Sequence, residues 1–459
     1  MILYHTIINT IGNTTRATFP SHGAWSSTRI AASRAALIFF ILVITLAVRC
    51  LLALSLAPTI TQSSLSLSHT IMSVIRDRAA AALWGLFMGD ALASPVHWYY
   101  DRSRIGIDYG SITRYEAPKL HLPGSILNLS STSSGGRGSD SGSIIGDVIN
   151  HGKRQYWLRG GNYHYHCTLQ RGENTLEAQL ARLLLRHVAS RPERCYERAS
   201  HLELFRDFMT TPGSHNDTYA STYLRMFFAN VVRGLPLAEC ADNDGHNVDA
   251  IDALTCLGPV VVTSLQRDVD TRAVIDAPAS TAEWHAVETS VEQYLRALRR
   301  SDQLPFYGSL YASMLYRLLR RASAPEAAAA AAAAASGGGD HDANADAAHA
   351  LRQQCLEAAT QLGFDLQKAV ARQYHSEDPM CACYMSSAFP AMLVFAYKYA
   401  DSPEACLLAS ANAGGENVAR GSALGSLLGA AYGKRGFSQW MYDGLLDREA
   451  IEAEIEAAL

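Results

Sequence analysis

From Ala79 onward, apolar side chains recur every three to four residues almost without a break, and that spacing predicts helices. Ala81 to Leu92 is apolar apart from Asp90, and Pro95 ends the run. Gly85 and Gly89 fall four apart within it, so one face of this helix carries no side chains and a second helix can approach closely. Leu176, Leu180, Leu183, Leu184 and Val188 mark an apolar stripe over residues 176–188. Further amphipathic stretches cover residues 284–300, 306–320, 351–372 and 386–400. Strand-like alternation is scarce, and Pro259 to Val262 is the one notable β-branched cluster. The pattern predicts an all-α fold, a single compact multi-helix domain over residues 72–445.

The last helical stretch places Gly421, Gly425, Gly429 and Gly433 every four residues. Each interior glycine costs roughly 1 kcal/mol relative to alanine, so a ridge of them implies close contact with another backbone or a ligand. Tight packing of a central helix is the expectation for Gly425 and Gly429. At Gly414-Gly415 a loop that exposes backbone N–H groups competes with it.

Two low-complexity segments interrupt the helices and read as surface insertions. Residues 128–146 are Ser/Gly-rich, and residues 322–349 hold nine consecutive alanines, a Ser-Gly-Gly-Gly run and a His/Asp/Ala stretch. The first 76 residues contain no Asp or Glu but carry Arg16, Arg29, Arg34 and Arg49. Residues 37–57 are mainly apolar and long enough for a signal anchor; acid-poor, Arg- and Ser-rich leaders also serve as targeting sequences. A third reading has translation starting at Met72, just before the first globular helix. That start implies a cytoplasmic protein, the other two an anchored or organelle-targeted one. Residues 1–71 are left out of fold reasoning in every case.

A net charge of −4 with 18% charged residues gives no sign of a general nucleic-acid binder. The nine cysteines show no framework spacing and read as mostly reduced, buried thiols.

Candidate chemistry centres on two near-matching tetrads, Gly172-Glu173-Asn174-Thr175 and Gly415-Glu416-Asn417-Val418, each opening a helical stretch. A carboxylate beside an amide at a helix start offers oxygen ligands next to free N–H groups. If two such starts converge, they make a pocket for a cation, a phosphate or a sugar. The competing reading is structural: Asn174 with Glu177 fits a helix capping box.

Gly85-x-x-x-Gly89-Asp90-Ala91-Leu92-x-x-Pro95, the Gly-Glu-Asn-Thr helix start, and Gly414-Gly415-Glu416-Asn417 with its glycine-ridged helix together resemble the ADP-ribosylglycohydrolase family, whose superfamily includes J1 crystallins. The resemblance covers about residues 76–440. It implies one all-α domain with a cleft between helix starts. In active members that cleft holds two magnesium ions, which position ADP-ribose and a water for cleavage of a glycosidic bond.

Residue by residue the match departs from the family pattern. The family's first metal motif reads Thr-Asp-Asp-Thr, against Gly172 to Thr175 here. Its second reads Gly-Gly-Asp-Thr-Asp-Thr or Ser, against Gly414 to Ala419. The acidic residue two positions after the proline of the first motif is His97 here. Two Mg²⁺ bring four positive charges, and only Glu173, Glu416 and Asp90 supply carboxylates at the matching positions. The expectation is therefore at most one Mg²⁺ or Ca²⁺, on Glu173, Asn174, Thr175 and Glu416, with no binuclear site.

Residues 215–219 and 244–252 add His215, Asp217, His246 and Asn247, groups able to bind a ribose or move protons near neutral pH. Structural roles compete: a cap at His215-Asn216 and a turn at Asp244-Gly245. The run Tyr163-His164-Tyr165-His166 offers rings for stacking but is assigned no role. Candidate catalytic residues are thus Asp90, His97, His215, Asp217 and His246, with Gly414, Gly415, Asn417 and Asn247 as substrate contacts. Two functions remain open: hydrolysis of an ADP-ribosyl or related ribosyl bond, on a protein or a small molecule, or binding of a nucleotide-sugar or protein partner by a member that has lost hydrolysis.

Overall fold

The apolar run ending at Pro95 forms helix α1, residues 73–93, continued by a 3₁₀ turn over Ser94–Val96. Proline is tolerated early in such a turn because its missing N–H has no partner to lose there. Ser73–Val96 is long and apolar enough to cross a bilayer, yet its most apolar 18-residue window is buried inside the fold.

The computed structural model describes residues 73–127, 144–158, 160–265, 281–321, 340–373 and 377–459. Contacts divide the chain into residues 1–66 and 67–459, and every described residue belongs to the second unit. The acid-poor leader with its apolar run 37–57, the Ser/Gly-rich stretch up to residue 143 and the alanine tract lie outside the described residues.

After α1 come α2 (Arg102–Tyr109), α3 (Leu176–Ala189), α4 (Arg198–Thr210) and α5 (Thr222–Val232). Next are α6 (Leu257–Leu265), α7 (Thr281–Leu298), α8 (Leu304–Arg320), α9 (Asp340–Gln361) and α10 (Leu366–Gln373). The chain closes with α11 (Met385–Lys398), α12 (Pro403–Asn412), α13 (Val418–Tyr432), α14 (Gln439–Asp443) and α15 (Arg448–Ala458). Extended pairing among the described residues is limited to isolated bridges such as His121 with Tyr163 and Ala250 with Tyr384. The fold is all-α, as the periodicity predicts.

Two expectations are adjusted. The stretch 351–372 is not one helix, because Gly363 takes a left-handed backbone, φ +62°, and stops α9. Phe364 N–H then reaches the Ala359 carbonyl at 2.9 Å and Gly363 N–H the Thr360 carbonyl at 3.1 Å, which satisfies the helix end. The β-branched run Val260-Val261-Val262 lies within α6, where every one of these residues is buried. Burial on all sides overrides strand propensity there.

The centre of the molecule is the crossing of α1 and α13. All fifteen residues of α13 are buried. Gly85 meets the Gly425 carbonyl, Gly89 the Gly421 carbonyl and Gly429 the Ala81 carbonyl, each so closely that a Cβ would overlap the opposing backbone. The two glycine ridges therefore answer each other, and van der Waals contact between backbones offsets the propensity that each glycine loses. Helices α8, α9, α11 and α12 surround α13, and α3 lies against α15.

Candidate functional site

Where α1 ends, the chain turns sharply. Trp98 holds φ +58°, a left-handed backbone that a bulky side chain rarely adopts. Its N–H donates to the Gly415 carbonyl and the Gly415 N–H to the Tyr99 carbonyl, both at 2.9 Å. This exchange locks the first motif to the third. Beside it lies a cavity of about 290 Å³. The starts of three helices face it: Thr175–Leu176 of α3, Ser221–Thr222 of α5 and Val418–Ala419 of α13.

Along one wall runs a line of four buried titratable side chains. Glu416 Oε2 lies 3.1 Å from His97 Nε2. His97 Nδ1 lies 2.6 Å from His166 Nε2, and His166 Nδ1 lies 2.8 Å from Asp217 Oδ1. Asp217 Oδ2 accepts the Leu176 N–H at 2.7 Å, and Glu416 Oε1 accepts the Ala419 N–H at 3.3 Å. None of the four residues is more than 4% exposed. Hydrogen bonding all three of the contacts between them takes three protons, whereas two neutral imidazoles bring two. The third proton gives the pair one positive charge between two carboxylates. Burial alone would raise both acids; the charge and hydrogen bond of His97 pull Glu416 below the usual carboxylate range, and those of His166 do the same for Asp217.

A further carboxyl lines the same cavity in the opposite state. Burial, and then the facing charge of Asp252, push Glu177 above the usual range. Its oxygens sit 2.6 Å from Ser221 Oγ and 2.8 Å from the Tyr223 hydroxyl. Asp252 is paired with Arg299 at 2.8 Å, and that guanidinium lies 3.5 Å from the centre of the Tyr223 ring.

The structure sorts the remaining expected residues. Asp90 is fully buried and is absent from the cavity wall. One of its oxygens accepts from Asn174 Nδ2 and Thr175 N–H, each at 2.8 Å, and the other accepts from Thr175 Oγ1 at 2.6 Å. Burial raises it to about 6, against those hydrogen bonds. Asn174 also donates to the Phe87 carbonyl at 2.8 Å. The capping box does not form, since Asn174 is spent on α1 and Glu177 on Ser221 and Tyr223.

Glu173 lines a different, polar cleft of about 400 Å³, together with His215 and Asn216. It accepts from Gln170 N–H at 2.8 Å and Asn216 Nδ2 at 3.2 Å. The two tetrads therefore do not bring Glu173 and Glu416 into one pocket. His215 is pushed down to about 4 by burial and does not join Asp217, although they are two residues apart. His246 is exposed and packs at a tilt of 37° against Tyr384 with ring centres 4.3 Å apart, while Asn247 reaches the cavity wall. The expected turn is present, with Asp244 accepting the N–H groups of His246 and Asn247 at 3.0 and 2.7 Å.

The backbone N–H groups expected to be exposed at Gly414 and Gly415 are already in use. Their N–H groups are taken by the Ala411 and Tyr99 carbonyls at 3.1 and 2.9 Å, leaving no free donors in the loop. Asn417 is fully buried and donates to the Val96 and Ala411 carbonyls at 3.2 and 3.0 Å. Arg420, buried beneath, ties the same loop through the Ser410 and Gly414 carbonyls at 2.8 and 3.0 Å.

For the two magnesium ions that the family implies, the donors do not converge. Glu173 faces the outer cleft, Glu416 is held by His97, Asp90 is saturated by its neighbours, and Val418 and Ala419 carry no oxygen ligand. Sequence reasoning found three members of the buried line but missed His166, which sat unassigned in the Tyr-His-Tyr-His run, and Glu177, which the capping box had absorbed. A histidine at every second position ahead of a helix start was the available signal.

The family model for ADP-ribosylglycohydrolase matches residues 72–459, and the chain belongs to that family. Among solved structures, a chain described as an ADP-ribosylglycohydrolase-related protein complex is similar at 17% identity, covering 84% of this chain and 98% of that one, with a TM-score of 0.45. No curated protein matches.

Proposed function

We propose that this chain hydrolyses the glycosidic bond of an ADP-ribosyl or related ribosyl group, with its own side chains in place of the family's paired metal ions. The observation that carries the reading is the buried line Glu416–His97–His166–Asp217 along one wall of a cavity that also holds Glu177. Two carboxyl groups in one cavity with pKa values pushed apart divide the labour of acid and base.

Glu416, kept ionised, takes a proton from water as the water oxygen bonds to the anomeric carbon. The positive charge shared by His97 and His166 holds Glu416 in position and in its ionised form beforehand. Glu177, kept neutral, gives its proton to the leaving group as the glycosidic bond breaks. Proton exchange with solvent then resets both acids. General acid–base transfer of this kind is worth about 10²–10⁴-fold in rate.

The test follows release of ADP-ribose from an ADP-ribosylated protein, with and without EDTA. Turnover that survives EDTA and falls at least about 100-fold in Glu416→Gln is expected. Turnover that needs Mg²⁺ and ignores Glu416→Gln overturns the mechanism. Binding of ADP-ribose with no turnover under any condition favours the alternative of a member that binds without hydrolysing.

A further inference from the structure

Beside the main cavity lies a second gap of about 10 Å³, lined by Glu177, Tyr223, Asp252, Cys256, Tyr294 and Arg299 among others. That is barely the room of one water, so bulk solvent does not screen these groups from one another there. Glu177 and Asp252 line both this gap and the main cavity, while Arg299 is absent from the main cavity wall. Burial pushes the Tyr223, Tyr294 and Cys256 hydrogens toward higher pH, so all three side chains are uncharged near neutrality. Elsewhere in the wall, Glu416 and Asp217 are answered by His97 and His166, and Arg225 is turned to the Ala220 carbonyl and Thr222 Oγ1. The charges that bear on Glu177 are Asp252 and Arg299.

Two facing carboxyl groups beside one guanidinium retain a proton, because ionising both leaves a buried negative charge unanswered. That proton belongs to the pair, and the contacts of each acid decide where it sits. Arg299 Nη1 donates to Asp252 Oδ1 at 2.8 Å and reaches the Val248 carbonyl at 3.3 Å. A charge-assisted contact of that length favours the ionised form of Asp252. Glu177 instead has uncharged partners, the Ser221 and Tyr223 hydroxyls at 2.6 and 2.8 Å. The guanidinium lies over the Tyr223 ring, 3.5 Å from its centre, and makes no hydrogen bond to Glu177. Arg299 is itself fixed, 4% exposed at the end of α7 with its N–H on the Leu295 carbonyl at 2.9 Å.

We infer that Arg299 is a positioning residue, which seats the shared proton on Glu177 by keeping Asp252 ionised. Granted the hydrolase reading above, this is what leaves Glu177 loaded as the acid. When its proton departs with the leaving group, the next one from solvent returns to Glu177, because Asp252 is already paired.

Infrared spectroscopy of the whole chain carrying carbon-13-labelled glutamate tests this, since the label separates protonated glutamate from protonated aspartate. Wild type should show a protonated glutamate at pH 7 that Glu177→Gln removes. Asp252→Asn takes away the facing charge and frees Arg299 to act on Glu177, so that band should titrate about one pH unit or more lower. Arg299→Met should shift it the other way, with part of the proton appearing on an aspartate, and Arg299→Lys should keep the wild-type band. The alkaline limb of turnover should follow the same two directions. A change that only loosened the core would lower the melting temperature and leave the bands in place. A Glu177 band that titrates alike in wild type and Asp252→Asn overturns the inference, even if Arg299→Met does not fold. So does an Arg299→Met protein in which no aspartate gains a proton. The expected bands without turnover of any ADP-ribosylated substrate uphold the inference and overturn the hydrolase reading instead.

Discussion

His97 and His166 face each other nitrogen to nitrogen at 2.6 Å, and the outer nitrogen of each ring is held by a carboxylate. Neither ring has a nitrogen left for solvent or substrate. The pair therefore acts on chemistry only through Glu416, as a buried positive charge whose position is fixed from both sides.

Replacing His166 with glutamine removes that charge while leaving a side chain able to hydrogen bond. Turnover in His166→Gln should fall about 10²–10⁴-fold, with ligand affinity changed less than about threefold. The pH–rate profile should lose its acid limb or move it upward, because Glu416 is no longer held in its ionised form. A variant that merely loosens the fold would lower the amplitude of the profile and leave its shape. Calorimetry and rates from pH 4 to 9 separate the two.

The α1–α13 crossing gives a prediction whose sign is diagnostic. By helix propensity alone, Gly425→Ala should stabilise α13 by about 1 kcal/mol. A Cβ there would enter the Gly85 carbonyl, so a net loss of about 3 kcal/mol, or failure to fold, is expected. Gly106 in α2 is the control, with nothing within 4 Å of its added Cβ. Gly106→Ala should gain up to about 1 kcal/mol. Urea denaturation of the three proteins checks both.

His201 sets part of the acid sensitivity. Its ring is 2% exposed, and burial, followed by His187, lowers it to about 3. The unfolded chain binds a proton there near pH 6.5, while the folded imidazole stays neutral down to about 3. Its contribution is thus complete above pH 6.5 and shrinks as the pH falls, by about 2 kcal/mol at pH 5. His201→Phe keeps a ring beside Phe205 and Tyr196. The stability difference between wild type and variant should therefore shift by about 2 kcal/mol in favour of the variant between pH 7 and 5. An unchanged difference across that range would contradict a neutral buried imidazole.

Magnesium should add little. With Glu173 and Glu416 lining separate clefts, titration of the chain with Mg²⁺ should reveal no pair of high-affinity sites, and EDTA should leave the melting temperature within about 1 °C. Two tight ions per chain would show that the site rearranges to recruit both carboxylates.

Periodicity alone delivered the all-α class, several of the helices and the two glycine ridges, because these follow from local spacing; that the ridges face each other does not. His97, Asp217 and Glu416 were also legible, since each stands in or beside a motif. What stayed hidden depends on direction. Glu173 and Glu416 occupy equivalent places in similar tetrads, yet Asn174 and Thr175 are pinned to Asp90 and Glu173 turns toward Asn216. His166 joined the line only because a loop carries it 69 positions from His97 back to a contact. No local pattern encodes such a turn.

Gly85 and Gly425 are neighbours in space and 340 positions apart in the chain. At ribosomal rates of roughly 5–20 residues per second, α1 waits about 20–70 s for the ridge that will cover it. Throughout that interval an apolar helix of bilayer length stands without its partner. The same contact that seals the finished molecule thus sets a window during synthesis in which the glycine face of α1 has no ridge to cover it.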